Sequence, residues 1–206
     1  MPEPLKPEEV KSRTDASIAK QWDTETPMPE QIKEFYKEVD NQKIGLLTTI
    51  RPKIGPVSRS MNVAKRDGPD FYFLANNHSQ KFSDIDHDKT AQVTFQDSSS
   101  QNWISVTGHV SKVAADDAKI KELYNPIISA WFGDLGDGVH TGGPEDPRMA
   151  LIELKANYIV YWKSTVGKLG FMKEVGQAAM TGKVAQNGTQ RQFNEEVIQS
   201  MRTTTK

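Results

Sequence analysis

The sequence contains no cysteine. That excludes disulfide staples, thiol nucleophiles and Cys-ligated zinc or iron–sulfur centres. A surplus of charge is missing too: 26 Lys and Arg stand against 27 Asp and Glu, for a formal net charge of -1. Phosphate backbones and anionic bilayers both select for a cationic surplus, so neither nucleic acid nor a membrane is an expected partner. No apolar run approaches the ~20 residues of a spanning helix. The opening residues, MPEPLKPEEVKSR, hold no apolar stretch of a secretory signal. A soluble, cytoplasmic protein is the expectation. Hydrophobic residues are only 36% and mean hydropathy is -0.63, but the polar excess gathers at the two ends, which leaves a richer middle.

Recognised catalytic punctuation is also lacking. There is no G-x-S-x-G and no Ser/His pair with a strand-turn-helix context, and GKVAQNGT lacks the order of a P-loop. The four histidines, His78, His87, His109 and His140, fall in no ligand spacing. DIDHD (Asp84 to Asp88) and GDLGDGVH read better as helix-end capping and loop solvation than as a metal cluster, and no metal is expected.

What is present is a short-strand pattern. The segment TPMPEQIKEFYKEVDNQ reads as a helix, with Pro29 and Glu30 in its first turn and Ile32, Phe35, Tyr36 and Val39 on one face. Period-2 segments follow: KIGLLTTI, VSRSMNVA, the aromatic FYFLA, TAQVTFQD and NWISVTGHVSKV. Asp67-Gly68 marks a hairpin, and NNHSQKFSDIDHD reads as a cap followed by a short helix. A second helix is expected from Ala114 to Tyr124, then a loop dense in Gly, Asp and Pro. RMALIELKA and YIVYWKST are expected to pair around Ala156-Asn157, and a weak helix is expected from Phe193 to Met201. Hairpins and short connections imply an antiparallel sheet closed as a barrel: a mainly β fold with flanking helices. At 206 residues the chain suits one domain with arms: 1–25 as an N-terminal arm, 26–165 as the domain and 166–206 as a C-terminal arm.

The chemistry concentrates between Gly55 and Asp88. Arg59 and Ser60 lie on one strand, Asn76 and Asn77 end the next, and Ser79 and Lys81 open a helix. Singly, these read as a solvated arginine, an N-cap and a surface lysine. Together they supply helix N–H groups, a bidentate guanidinium and a point charge, the set that a phosphate dianion wants. Many sugar phosphates would be served by it. Trp131, Phe132 and Trp162 read as core, or as cover for a flat ring.

The ordered motifs SRSMNV, FYFLANNHSQKFSDI, QVTFQD, WISVTGHV, AWFG and LIELKANYIVYW resemble the pyridoxamine 5'-phosphate oxidase-like FMN-binding split-barrel proteins. Within that family they resemble the general stress protein branch and its fungal blue-light-inducible members. The resemblance spans roughly Glu30 to Ser164, and GKLGFMKEVGQAAMTGK is also similar to the fungal members. It implies a six-stranded antiparallel split barrel that forms a homodimer with FMN at the interface. It places Arg59, Ser60 and Met61 along the phosphate, ribityl chain and ring edge, and Leu74, Ala75 and Asn76 beside the ring or ribityl group. Ser79 and Lys81 would hold the phosphate, and Trp131 and Trp162 would come from the partner subunit. Trp103 stands where the oxidase has a polar ring contact. The oxidase's C-terminal R-L-H-D-R type motif has no counterpart in KSTVGKLGFM, where Lys168 is the only basic residue in the comparable place. FMN binding is therefore expected, and the vitamin substrate is not. An oxidoreductase would draw on NADH, NADPH or another small reductant; a non-catalytic flavin store or redox-sensing stress protein is the alternative. No residue stands out as a general acid or base.

Overall fold

The computed structural model describes residues 21–113, 118–181 and 185–204. Helix α1 (Met28–Asn41) leads into strands β1 (Ile44–Arg51), β2 (Gly55–Asn62), β3 (Lys65–Asp67) and β4 (Asp70–Asn76). Helix α2 (Gln80–His87) precedes β5 (Thr90–Asp97) and β6 (Asn102–Val113). Two short helices, α3 (Ala118–Leu123) and α4 (Pro126–Ser129), come before β7 (Met149–Ser164). Then follow α5 (Lys168–Thr181), β8 (Gly188–Phe193) and α6 (Glu195–Thr204). The start of the expected Ala114–Tyr124 helix lies outside the described residues, as does most of the expected N-terminal arm.

The strands form one antiparallel sheet in the order β2-β1-β5-β6-β7-β4-β3, with β8 added alongside β7. It has eight strands rather than six, and among the described residues no ladder closes it into a barrel. It curls nevertheless: Phe71 of β4 and Phe95 of β5, on strands that do not pair, bring their rings within 5.5 Å. The concave face carries Leu47, Phe71, Phe73, Val93, Phe95, Ile104, Val106, Ile152, Leu154 and Tyr161, all buried. Helix α1 seals one end, with Phe35 packed against Tyr161 and Phe193 at 6.1 and 5.8 Å between ring centroids.

The expected hairpin around Ala156-Asn157 does not form. Residues 149–164 make one continuous 16-residue strand that pairs with β4 along its first half, β8 along its second and β6 throughout. The Ala156 backbone is spoken for: its N–H donates to the Asp70 carboxylate at 2.9 Å and its carbonyl accepts from Arg202 at 2.6 Å. The irregularity is absorbed opposite, as a register shift between Thr107 and Gly108. A Cβ on Gly108 would lie 2.0 Å from the Lys155 carbonyl oxygen, so only glycine permits that approach. The same Arg202 clamps α6 to the sheet, and Ile198 and Met201 join the core.

A second charged cluster fixes the entry of the described chain. Arg191 on β8 donates to Asp23, Glu34, Thr26 and the Tyr161 hydroxyl, and Lys163 also pairs with Glu34. The segment before α1 is thereby tied to the sheet, where Trp22 makes a bridge to Gln190.

Candidate functional site

Directly opposed residues of an antiparallel pair share a face. Leu47 opposes Arg59, Thr49 opposes Val57 and Gly45 opposes Met61, so these residues line the concave face of β1 and β2. Ser60, opposite Leu46, lies on the convex face with Ser58 and Asn62. Along β1 the concave face is apolar at Leu47 and becomes polar at Thr49 and Arg51.

Helix α2 packs over that polar end. Its Phe82 and Ile85 enter the core, while Asp84 is fully buried at the polar boundary. The Asp84 carboxylate accepts from the Thr49 hydroxyl at 2.8 Å, from Arg51 at 3.1 and 3.3 Å and from Arg59 at 3.0 Å. Burial pushes this carboxyl up, but the donors from Arg51, Thr49 and Arg59 outweigh it and hold it below the usual carboxylate range. The remaining Arg59 bonds go to Thr49 Oγ1 at 2.7 Å and the Leu47 carbonyl at 3.2 Å. Arg59 is thus pinned in direction as well as charge.

The first turn of α2 completes the cluster. Ser79, its N-cap, makes no capping bond; its hydroxyl donates to the Asn76 carbonyl at 2.6 Å and accepts from Lys81 Nζ at 2.6 Å. The Gln80 and Lys81 amides have no acceptor among the described residues. Burial and then the nearby Arg59 charge push the Lys81 ammonium down from its ordinary value. Burial also lowers the Arg59 guanidinium, offset by Asp84. Lys112 of β6 stands over the Phe82 ring at 5.1 Å, and Lys81 lies 5.9 Å from the same ring. Arg51 and Arg59 therefore bind a single carboxylate, and Lys81 lies close enough to Arg59 to feel its charge. Such an excess beside a helix N-terminus favours an incoming anion.

The structure brings Arg59, Ser79, Lys81 and the Asn76 backbone together. Asn76 turns the chain there, its Oδ1 accepting from the His78 amide at 2.9 Å, and Asn77 Nδ2 donates to Pro147 at 2.8 Å. Met61 lies two residues from Arg59 on the same face, partly buried against the core. Leu74 and Ala75 point to opposite sides of β4: Ala75 enters the core, and Leu74 packs with Tyr72, Ile120, Leu123 and Phe132 in a second cluster. Trp131, just after α4, is 75% exposed. Trp162 is half-buried on the convex face, opposite Trp103 and far along β7 from Asn76. The side chain of Lys168 lies outside what the structure describes.

Sequence reasoning missed Asp84, Thr49 and Arg51. The Asp84 motif reads as a solvated helix end, but Asp84 stands three residues before the end of α2, beside the inward-facing Ile85. Arg148 was also missed: it donates to Asp146 and to the Phe132 and Gly133 carbonyls, holding the 130–148 segment against the start of β7.

Residues 30–186 match the model of the "Pyridoxamine 5'-phosphate oxidase like" family. The chain is 38% identical over 186 residues to Protein bli-3 of Neurospora crassa, covering 87% of each. It shares its fold with a Clostridium acetobutylicum protein related to general stress protein 26, with a TM-score of 0.59, 15% identity, and coverage of 82% of this chain and 97% of that one. It also shares it with a Nostoc punctiforme protein described as pyridoxamine 5'-phosphate oxidase-related and FMN binding, with a TM-score of 0.51, 12% identity and coverage of 84% and 100%. No helix among the described residues is long and apolar enough to cross a membrane. The chain belongs to the pyridoxamine 5'-phosphate oxidase-like family.

Proposed function

We propose that this protein is an FMN-binding homodimer whose cofactor phosphate is held by Lys81, Ser79, Arg59 and the first amides of α2. The observation that carries the reading is the cationic cluster over one locked carboxylate, opened toward a helix N-terminus. A phosphate monoester dianion matches it in charge and in acceptor number. Family membership and the Nostoc protein's FMN-binding description point the same way. Met61 and the backbone from Leu74 to Asn76 flank the approach to the phosphate. Ser60 joins only through its backbone, because its side chain faces the other side of β2. Trp131 and Trp162 stand too exposed or too distant to cover a ring held in their own subunit; they serve a ring held by a partner.

Bound FMN would supply the redox chemistry, and the chain would supply anchoring and electrostatics. The one carboxylate at the site, Asp84, is occupied by three donor side chains, and among the described residues no histidine is hydrogen-bonded into the cluster. That arrangement holds a ligand without offering a free carboxylate or an imidazole for acid–base work. It favours, as a second reading, a flavin store or redox-sensing protein without turnover. Purified protein should carry, or take up, FMN with its visible absorption band. Protein that ignores added FMN overturns both readings. Bleaching by NADH or NADPH followed by reoxidation selects the oxidoreductase, and stable binding without bleaching selects the store.

A further inference from the structure

Helix α5 carries its apolar stripe on the outside. Met172, Val175, Gly176 and Ala179 fall at i, i+3, i+4 and i+7 and share one face, and that face is exposed, Met172 by 74%. Met180 beside it is 89% exposed, and nothing lies within 4 Å of the Cβ position of Gly176. The opposite face, through Phe171, Glu174 and Ala178, is half-buried. A 14-residue helix containing Gly170 and Gly176 is marginal in water alone, and a contiguous bare apolar stripe calls for a cover.

A second bare apolar group lies elsewhere. Ile127, Trp131, Leu135 and Val139 are exposed by 73%, 75%, 62% and 57%. Arg148 holds this segment at the start of β7, whereas α5 leaves from its end. The 16 residues of β7 extend ~50 Å along their contour at ~3.3 Å per residue. A chain does not fold its own α5 back over that length onto its own 127–139 group. Two copies related by a two-fold axis, with their β7 strands antiparallel, bring each α5 to the other's group.

We propose that α5 of one copy of this chain packs the Met172, Val175, Ala179 stripe onto Ile127, Leu135 and Val139 of a second copy, and reciprocally, leaving Trp131 beside them for the ring. This rests on the homodimer of the proposed function and adds which elements cross. The contact is self-complementary, so it is made twice. With the exposed Ile44 and Leu46 of the convex sheet face it contributes toward the ~1,200–2,000 Å² of a stable interface. The small Gly176 and Ala179 let the helix approach closely. The rims are opposite in sign, with exposed Lys173 flanking the stripe and exposed Asp134 flanking the receiving group. A bilayer would ask for a basic polar face, which α5 lacks.

The absence of cysteine makes the test clean. Met172→Cys or Val175→Cys chains with one tag are co-expressed with Leu135→Cys or Val139→Cys chains with another, and mildly oxidised. Light scattering gives the mass. The expected result is a dimer in which at least one pairing yields a disulfide-linked species carrying both tags, absent when either variant is alone. A dimer that forms no such species in any pairing overturns the exchange and leaves the homodimer standing. A disulfide confined to one chain in the Met172→Cys, Leu135→Cys double variant also overturns it. A monomer overturns both.

Discussion

Removing the buried carboxylate of Asp84 tests the central electrostatic argument. In Asp84→Ala, two guanidinium groups and the Thr49 hydroxyl lose their common acceptor. Breaking a buried ion pair by deleting one partner costs ~3–5 kcal/mol, because the survivor is left uncompensated. The Arg51 and Arg59 side chains keep 27% and 20% of their exposure, so water relieves part of that charge. The lower end, about 3 kcal/mol, is the expected loss by urea unfolding, and about 6–12 °C in Tm for a chain of this size. The acid limb provides a second readout. The folded-state value of Asp84 is depressed, so its contribution is full above the ordinary Asp range and is lost as pH falls through the depressed value. Asp84→Ala should therefore flatten the stability profile below about pH 4. A loss under ~0.5 kcal/mol, the size of an ordinary surface change, with an unaltered acid limb would refute the claim that Asp84 organises the cationic cluster.

Other perturbations separate the roles of neighbouring groups. Lys81→Ala and Arg59→Ala should each weaken FMN binding by about 1.5–3 kcal/mol, or roughly 10- to 150-fold, when titrated by flavin fluorescence. Only Arg59→Ala should also lower Tm, because Arg59 pairs with Asp84 while Lys81 has no carboxylate partner among the described residues; equal Tm losses would contradict that division. Gly108→Ala should cost at least the ~3 kcal/mol of severe overpacking, since its Cβ meets backbone rather than a movable side chain; a near-native unfolding midpoint would remove the bulge argument. Asp23 is held down to about 2, its desolvation outweighed by bonds from Thr26 and Arg191. Its contribution is full above the ordinary Asp value and lost as pH falls through about 2, so Trp22 fluorescence should change over that window in the wild type and not in Asp23→Ala.

The strand pattern was legible because alternation is a local signal: β5 and β6 coincide with their expected segments, and β1, β2 and β4 overlap theirs with ends one or two residues apart. Asp67-Gly68 likewise turns β3 into β4 as its dipeptide indicates, with Gly68 at φ 56°. Failures came where partners are remote in sequence. Ala156-Asn157 carries a turn signal, but the Ala156 backbone is satisfied by Asp70, 86 residues away, and by Arg202. The expected Phe193–Met201 helix begins instead at Glu195, because Phe193 is drawn into a strand on β7 and into the core. Of the proposed phosphate-holding residues, Arg59, Ser79 and Lys81 suggest themselves in the sequence because each type suits a phosphate. Asp84 does not, because an acid suits a phosphate site only as the counter-charge that aims the arginines.

That counter-charge explains how one face would serve both stability and the proposed anion binding. Along β1 the concave side passes from Leu47, which packs, to Thr49 and Arg51, which bond, and on β2 Arg59 stands where the change occurs. Helix α2 straddles the same boundary, placing Phe82 and Ile85 in the core and Asp84 at its rim. Without Asp84 the three cations of Arg51, Arg59 and Lys81 would repel one another across a partly dry surface. With it, two are paired and oriented while Lys81 and the α2 amides stay available. The proposed dianion would then meet a surface already assembled by folding. The core and the proposed anion site are therefore a single construction, and a substitution that frees Arg59 should loosen both.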